Sequence, residues 1–410
     1  MVSSFVASAS ILALGVLTGV LLARTLGPSG RGELAAVVLW PLLLLSIGNL
    51  GVNEAVTFHA ARHTSSRPTL LSTSIGLAVC QGITLIVIGL VLVPLVLSGH
   101  EESSVHASLL FLAVIPIGLV NLYLISLLNG FHRFGWFNLL RVSAIATSAV
   151  GLAGLMIADE LTVTTAVLAY LGGAMITALA VTMVALPLSG GTGPFSGGLA
   201  RDVLSFGWRS QLSTVSSTLN ERLDQLVISI FLSATSLGLY VVAWTMTSLT
   251  NLIGTSVALV ALPAAASADS PAAQRGAARR YVGLTFCASL AVTAPLLLFT
   301  PSLIKAAFGP EFRGATDSAQ ILVVAGMILA TSRALQGVLK GTNRPLDASI
   351  AEGVGLAVTA PGLAILLPTL GILGAALTST LAYSASVIVG LRYANQALHT
   401  RGIELLFPGK

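Results

Sequence analysis

The chain has 410 residues, 55% of them hydrophobic and 9% charged, with a mean hydropathy of +0.94. Soluble domains carry roughly 25% charged residues, so a soluble fold is excluded. At roughly 20 apolar residues per crossing of a hydrocarbon core about 30 Å thick, there is room for about twelve membrane helices joined by short loops, and none for a separate soluble domain.

Taken in chain order, the N-terminus reads Met-Val-Ser-Ser-Phe and lacks the basic stretch of a cleavable signal peptide, so the first apolar run is read as a membrane helix. Apolar windows between charged or Gly/Pro/Ser-rich breaks predict spans at 5–23, 34–57, 72–97, 107–128, 140–157, 164–187, 208–232, 238–262, 281–300, 316–338, 348–368 and 370–394. The seventh is the least hydrophobic. Cys80 and Cys287 lie in apolar runs without the spacing of a metal site or redox pair. The six histidines lie near or beyond span ends, which argues against an intramembrane histidine relay.

Lysine and arginine set the topology, because loops on the cytoplasmic side carry the excess. Of the 20 basic residues, 14 fall after even-numbered spans or in the tail, among them Arg62, Arg133, Arg209, Arg279, Arg344 and Lys410. Four, Arg24, Arg31, Lys305 and Arg313, fall on the other side, and Arg222 and Arg333 lie within spans. Both termini are therefore expected in the cytoplasm. The calculated pI of 9.6 reflects this distribution and gives no reason to expect a nucleic-acid partner.

The two halves resemble each other at an offset of roughly 206 to 211 residues. Gly32-Glu33-Leu34 matches Gly238-Leu239-Tyr240, and Gly48 matches Gly254. A Leu-x-Gly-x-x-Arg pattern closes the fourth span as Leu128–Arg133 and recurs after the tenth as Leu339–Arg344. The expected architecture is an all-α polytopic protein with two six-helix lobes, 1–195 and 196–410, the second ending in a short cytoplasmic tail. An even number of spans per lobe makes the repeat parallel, with its pseudo-twofold axis along the membrane normal and a cavity between the lobes as the expected substrate site.

Enzyme signatures are absent: there is neither a nucleotide-binding Gly-x-x-x-x-Gly-Lys-Ser/Thr loop nor a His-Glu-x-x-His zinc motif. A non-enzymatic role without cofactor or metal is expected. Charges within spans form the informative set, since each costs about 2.5 to 3.5 kcal/mol at a helix centre unless it faces a partner or water. Asn220, Glu221, Arg222 and Asp224 concentrate in the seventh span, where Ser210, Thr214, Ser217, Glu221 and Asp224 share a stripe at 100° per residue. That face is expected to line the cavity, with Asp224 or Glu221 contacting substrate or taking up a coupling proton or cation and Arg222 assisting anion binding. Ion pairing that only fixes helix packing is the competing reading. Arg333 and Glu352 lie toward the same ends of neighbouring spans, where a salt bridge between them is expected. Arg24 and Glu54 are the candidates in the first lobe. At the repeat offset Asp224 corresponds to Thr18, so the lobes carry different charges.

Ala23-Arg24-Thr25-Leu26-Gly27-Pro28 with Gly32, the two Leu-x-Gly-x-x-Arg segments, Leu219-Asn220-x-Arg222-Leu223-Asp224 and Gly371–Ala376 together resemble Wzx-type flippases. These form the polysaccharide branch of the multidrug/oligosaccharidyl-lipid/polysaccharide exporter superfamily, and the resemblance covers essentially the whole chain. It implies a multi-pass protein of the bacterial cytoplasmic membrane that moves polyprenyl-pyrophosphate-linked glycans between leaflets by alternating access. It implies membrane lipids as surroundings, glycosyltransferases or a glycan polymerase as partners, and Arg24, Arg222 and Arg333 as head-group ligands. The alternative within the superfamily is a cation-coupled multidrug antiporter, which the acids of the seventh span would suit.

Overall fold

The computed structural model describes residues 2–62, 66–266 and 270–407, with side chains throughout except at 2–5, 209–214, 259, 260, 262, 263, 266 and 271. Lys410 and the side chains of Arg209, Ser210 and Thr214 therefore lie outside the described residues.

Thirteen α-helices follow one another among the described residues: α1 (Val2–Gly48), α2 (Val52–Arg62), α3 (Arg67–Val96), α4 (Glu102–Phe111), α5 (Val114–Gly130), α6 (Phe134–Ile157), α7 (Val163–Leu188), α8 (Gly197–Phe231), α9 (Ala234–Ala266), α10 (Pro271–Ala307), α11 (Thr316–Gly341), α12 (Pro345–Leu370) and α13 (Ile372–Leu398). Short 3-10 turns occupy Pro310–Ala315 and Glu404–Leu406.

α1 has 47 residues, about 70 Å of helix and more than twice the hydrocarbon thickness. It is broken at Gly27, whose φ of 65° and ψ of −177° are open to glycine, and Pro28 restarts the helix with its pre-set φ. The expected loop at 24–33 thus contracts to one break, and α1 makes two passes. Counting α1 once, ten helical stretches among the described residues are long and apolar enough to cross a bilayer. α8 has 35 residues and ample length, but its polar residues keep it out of that set. With α1 counted twice and α8 included, the twelve expected passes are accounted for. Two of them are interrupted. The span expected at 34–57 turns at Leu50 and Gly51, both with positive φ, before α2 begins. The one expected at 107–128 breaks between Phe111 and Val114.

Apolar side chains cover the outside as well as the core, unlike those of a soluble protein. Val91, Leu95, Val150, Ile157, Met183 and Leu298 are each more than 70% exposed, whereas Thr73, Thr177, Thr247, Thr250, Thr285 and Thr378 are fully buried. Lipid solvates the aliphatic side chains, while small hydroxyl residues let helix backbones approach and bond their polar hydrogens locally. Thr177 and Thr378, for example, each donate to the carbonyl four residues earlier, at 2.9 and 2.8 Å.

The repeated Leu-x-Gly-x-x-Arg segments form the same turn. α5 ends at Gly130 and α11 at Gly341, after which His132 (φ 57°) and Asn343 (φ 61°) adopt the left-handed conformation. In each turn the arginine N–H reaches back five residues, from Arg133 to Leu128 O at 3.0 Å and from Arg344 to Leu339 O at 2.8 Å, capping the helix before the next begins.

Contacts divide the chain into two compact units, Met1–Val215 and Ser216–Lys410. The division falls inside α8, not in the loop before it, because the first half of α8 packs on unit 1. A Cβ on Gly207 would lie 2.5 Å from the Leu50 carbonyl oxygen, and Phe206 stacks on Phe58 with ring centroids 4.6 Å apart.

Candidate functional site

The polar run of α8 is positioned by the half of the helix that belongs to unit 2. Asn220 and Asp224, one turn apart, both point into that unit's core and are 3% and 1% exposed. Asp224 is enclosed by donors. Tyr240 Oη of α9 donates to Oδ2 at 2.5 Å, Ser379 Oγ of α13 lies 3.1 Å from the same oxygen, and the Gln225 backbone N–H donates to Oδ1 at 2.6 Å. An ionised carboxylate accepts several such bonds, and three donors compensate much of what burial costs it.

Asn220 anchors a second group. Its Nδ2 donates to Glu352 Oε2 of α12 at 3.4 Å, and its Oδ1 accepts from Thr359 Oγ1 at 3.1 Å. The other oxygen of Glu352 accepts from Gln336 Nε2 of α11. Gly355 makes room for this approach, since a Cβ there would lie 2.2 Å from Ser386 Oγ and 3.0 Å from Asn220 Nδ2. Glu221, the neighbour of Asn220, turns to α11 and pairs with Arg333, both side chains about one quarter exposed.

Three carboxylates of unit 2, Glu221, Asp224 and Glu352, are thus tied to five helices with one arginine in direct pairing. The expected Arg333–Glu352 bridge does not form: Arg333 is taken by Glu221, and Glu352 is satisfied by two amides. Depth in the membrane correctly placed the residues near one another, but helix azimuth decides which side chains meet. Arg222 is exposed and donates to Gln225 Oε1 at 3.2 Å, with no hydrogen bond to Asp224 among the described residues. Arg24 and Glu54 are exposed in unit 1, outside this constellation.

Within the network, Gln225 Nε2, Tyr383 Oη and Ser386 Oγ are buried without a hydrogen-bond partner. Of these, the Gln225 amide nitrogen can only donate, whereas the two hydroxyls can donate or accept, so hydroxyl oxygens alone add acceptors to the network. Sequence reasoning singled out Asn220, Glu221, Asp224, Arg333 and Glu352 but not Tyr240, Gln336, Thr359 or Ser379. Those four are neutral and of common types, and nothing in their local sequence distinguishes them.

Unit 1 has polar contacts of a different kind. Tyr123 Oη donates to Gln81 Oε1 at 2.6 Å, Gln81 Nε2 donates to Gly48 O at 3.3 Å, and Asn49 Nδ2 donates to Asn53 Oδ1 at 2.7 Å. All these groups are neutral.

The helices and the enclosed acids define a polytopic membrane protein with the fold of a transporter. The chain belongs to the polysaccharide biosynthesis protein family, whose model matches residues 2–268. It is 25% identical over 205 residues to the probable low-salt glycan biosynthesis flippase Agl15 of Haloferax volcanii, a match covering 47% of this chain and 42% of Agl15. The chain thus spans less than half the length of that curated relative. Among solved structures it is similar to the lipid II flippase MurJ in an inward closed conformation, with a TM-score of 0.81, 14% identity and coverage of 99% of this chain and 89% of MurJ. It is also similar to an inward-facing multidrug resistance MATE family transporter of the MOP superfamily, with a TM-score of 0.79, 18% identity and coverage of 95% and 94%. The structural likenesses bear out the all-helical, multi-pass fold, and the family match bears out the polysaccharide biosynthesis family that the motifs resemble.

Proposed function

We propose that this protein flips a lipid-linked oligosaccharide, carried on a polyprenyl pyrophosphate, across the bacterial cytoplasmic membrane by alternating access, for surface polysaccharide synthesis. Membership of the polysaccharide biosynthesis family is the observation that carries this reading. The names of two similar proteins, a glycan biosynthesis flippase and a lipid II flippase, support a cargo that joins glycan to lipid. Such a cargo has a charged, sugar-bearing head that hydrocarbon excludes and a tail that hydrocarbon holds. A helical path that receives the head while lipid keeps the tail meets both demands. Glycosyltransferases supply the cargo on one side, a glycan polymerase consumes it on the other, and both termini lie in the cytoplasm.

In this reading Asp224 is the coupling group. Its carboxylate, with Tyr240 Oη and Ser379 Oγ, presents a hard oxygen set suited to a proton or a small hard cation, and a change of its charge state alters contacts to α9 and α13 together. Asn220 and Glu221 hold α8 to α11 and α12 around it, and Arg333, Arg222 and Arg24 are the cations available to an anionic head group.

Reconstitution tests the reading. Purified protein in liposomes should move a polyprenyl-linked glycan between leaflets, and deletion of the gene should remove surface glycan. Intact surface glycan together with no flipping in liposomes would overturn it. The buried acids also favour cation-coupled drug export, which is the answer if the deletion strain becomes drug-sensitive and Asp224→Asn abolishes drug efflux.

A further inference from the structure

The C-terminal end of α13 and the segment that follows it line an open surface recess of about 770 Å³, walled by Ile388, Arg392, Asn395, Gln396, Arg401 and Ile403. It is a built feature. α13 closes on His399 in the left-handed conformation, and Asn395 ties the returning chain on both sides. Its Oδ1 accepts from Thr400 Oγ1 at 2.7 Å and its Nδ2 donates to Gly402 O at 2.8 Å. Beyond the turn, Leu405 is fully buried in a cluster with Ala278, Val282, Leu335 and Leu398. Phe407 meets Phe286 of α10 edge-on at 6.1 Å.

Two features of this recess belong together. Arg392 and Arg401 are exposed, and neither is ion-paired among the described residues. Glu404, one turn further on, is the nearest acid in sequence and does not line the recess. Before Arg392 on α13, Leu381 and Ile388 are 55% and 67% exposed, at spacings of seven and four residues that keep them on Arg392's face, while Arg401 reaches the recess from the segment beyond the helix. A lipid-facing apolar wall therefore runs without interruption into a doubly cationic cleft at the end of a membrane helix. Ile403, 59% exposed, covers the cleft's other side.

We infer that this recess binds an anionic phospholipid of the adjoining leaflet, its phosphate against Arg392 and Arg401 and its acyl chains along Leu381 and Ile388. Basic clefts at helix ends attract anionic head groups, and a free phosphate would leave the apolar wall unused. The inference needs only that α13 crosses the membrane with this end at the interface; it does not depend on the cargo proposed above.

The test is lipid retention by the purified full chain, measured by native mass spectrometry with phosphatidylglycerol and phosphatidylcholine in competition. The wild type should prefer phosphatidylglycerol, and Arg392→Gln with Arg401→Gln should cut the preference about thirtyfold, the effect of two cationic side chains at an anionic surface. Gln396→Glu, which places an acid in the recess and keeps both arginines, should lower it as well. Arg344→Gln, a basic site already paired with Asp347 at 3.3 Å, should not. Equal binding of the two lipids, or a preference that survives in both recess variants, would overturn the proposal. So would complete displacement of the lipid by millimolar inorganic phosphate, which would make the recess a site for free anion instead.

Discussion

Repeat-related places in the two units carry opposite kinds of chemistry. In unit 1, Thr18 is 8% exposed and satisfies its hydroxyl within its own helix, donating to Leu14 O at 2.9 Å. In unit 2 the matching residue is Asp224, which no single helix can satisfy and which draws donors from α9 and α13. Beyond this pair the contrast is one of degree: unit 1 joins its helices with neutral amides and a tyrosine and sets Glu33 against His100 at 3.1 Å, whereas unit 2 commits three carboxylates and an arginine. A neutral network is equally bonded at any proton or cation concentration. A carboxylate network changes its own stability when it gains or loses charge, so the larger group of acids in unit 2 supports the coupling role proposed for Asp224.

Removing the charge of Asp224 is the strongest way to break that comparison. Asp224→Asn retains the acceptor oxygen but abolishes the charge, and flipping in liposomes should fall to background while the purified protein keeps its elution profile. Asp224→Ala goes further, depriving the fully buried Tyr240 hydroxyl of its carboxylate and leaving it only Ser379 Oγ at 3.5 Å, while Ser379 still donates to Ala375 O at 3.1 Å. A buried hydroxyl that loses its acceptor costs about 1–3 kcal/mol, so thermal stability should fall below that of the asparagine variant. Thr18→Val, the matching change in unit 1, should leave transport intact. Equal effects of the two substitutions on transport would remove the asymmetry.

The Glu221–Arg333 pair sharpens the comparison at lower cost. Each side chain is about one quarter exposed, so the pair is partly screened. A double-mutant cycle of Glu221→Gln and Arg333→Gln, read by thermal unfolding in detergent, should give a coupling of about 1 kcal/mol. The same cycle on Arg333 and Glu352 should give a smaller value, because Arg333 acts on Glu352 only through space while Asn220 and Gln336 supply its hydrogen bonds.

These contrasts were unevenly legible beforehand. Four polar residues among five inside a membrane span are conspicuous in any hydropathy reading, so Asn220 through Asp224 stood out, and the recurrence of Leu-x-Gly-x-x-Arg anticipated two identical turns because glycine and the residues after it control backbone chirality. Tyr240 and Ser379 were not legible, because their role comes from tertiary placement and no local pattern marks it. The break between Phe111 and Val114 was also hidden, lying in a continuous apolar run with no proline or glycine at the turn itself. The Arg333 pairing failed for a related reason: sequence position fixes depth along a helix, while the facing partner depends on rotation about it.

Gly48 and Gly254, matched by the repeat, give the smallest and most local test. At Gly254 of α9 a Cβ would lie 2.4 Å from Ala330 Cα and 2.7 Å from its carbonyl oxygen, so α11's backbone itself would have to move. At Gly48 the obstacle is the end of Leu85, with Cδ1 at 2.3 Å, and a leucine can change rotamer where a backbone cannot. Gly254→Ala should therefore destabilise by about 1–3 kcal/mol, the range for overpacking a tight interface. Gly48→Ala should cost less than about 1 kcal/mol, because moving Leu85 requires only a side-chain rotation. Thermal melts of the two alanine variants in the same detergent would decide. If Gly48→Ala proved as costly as Gly254→Ala, the two halves would be equally rigid at this crossing, and the distinction between a backbone and a side-chain obstacle would have to be given up.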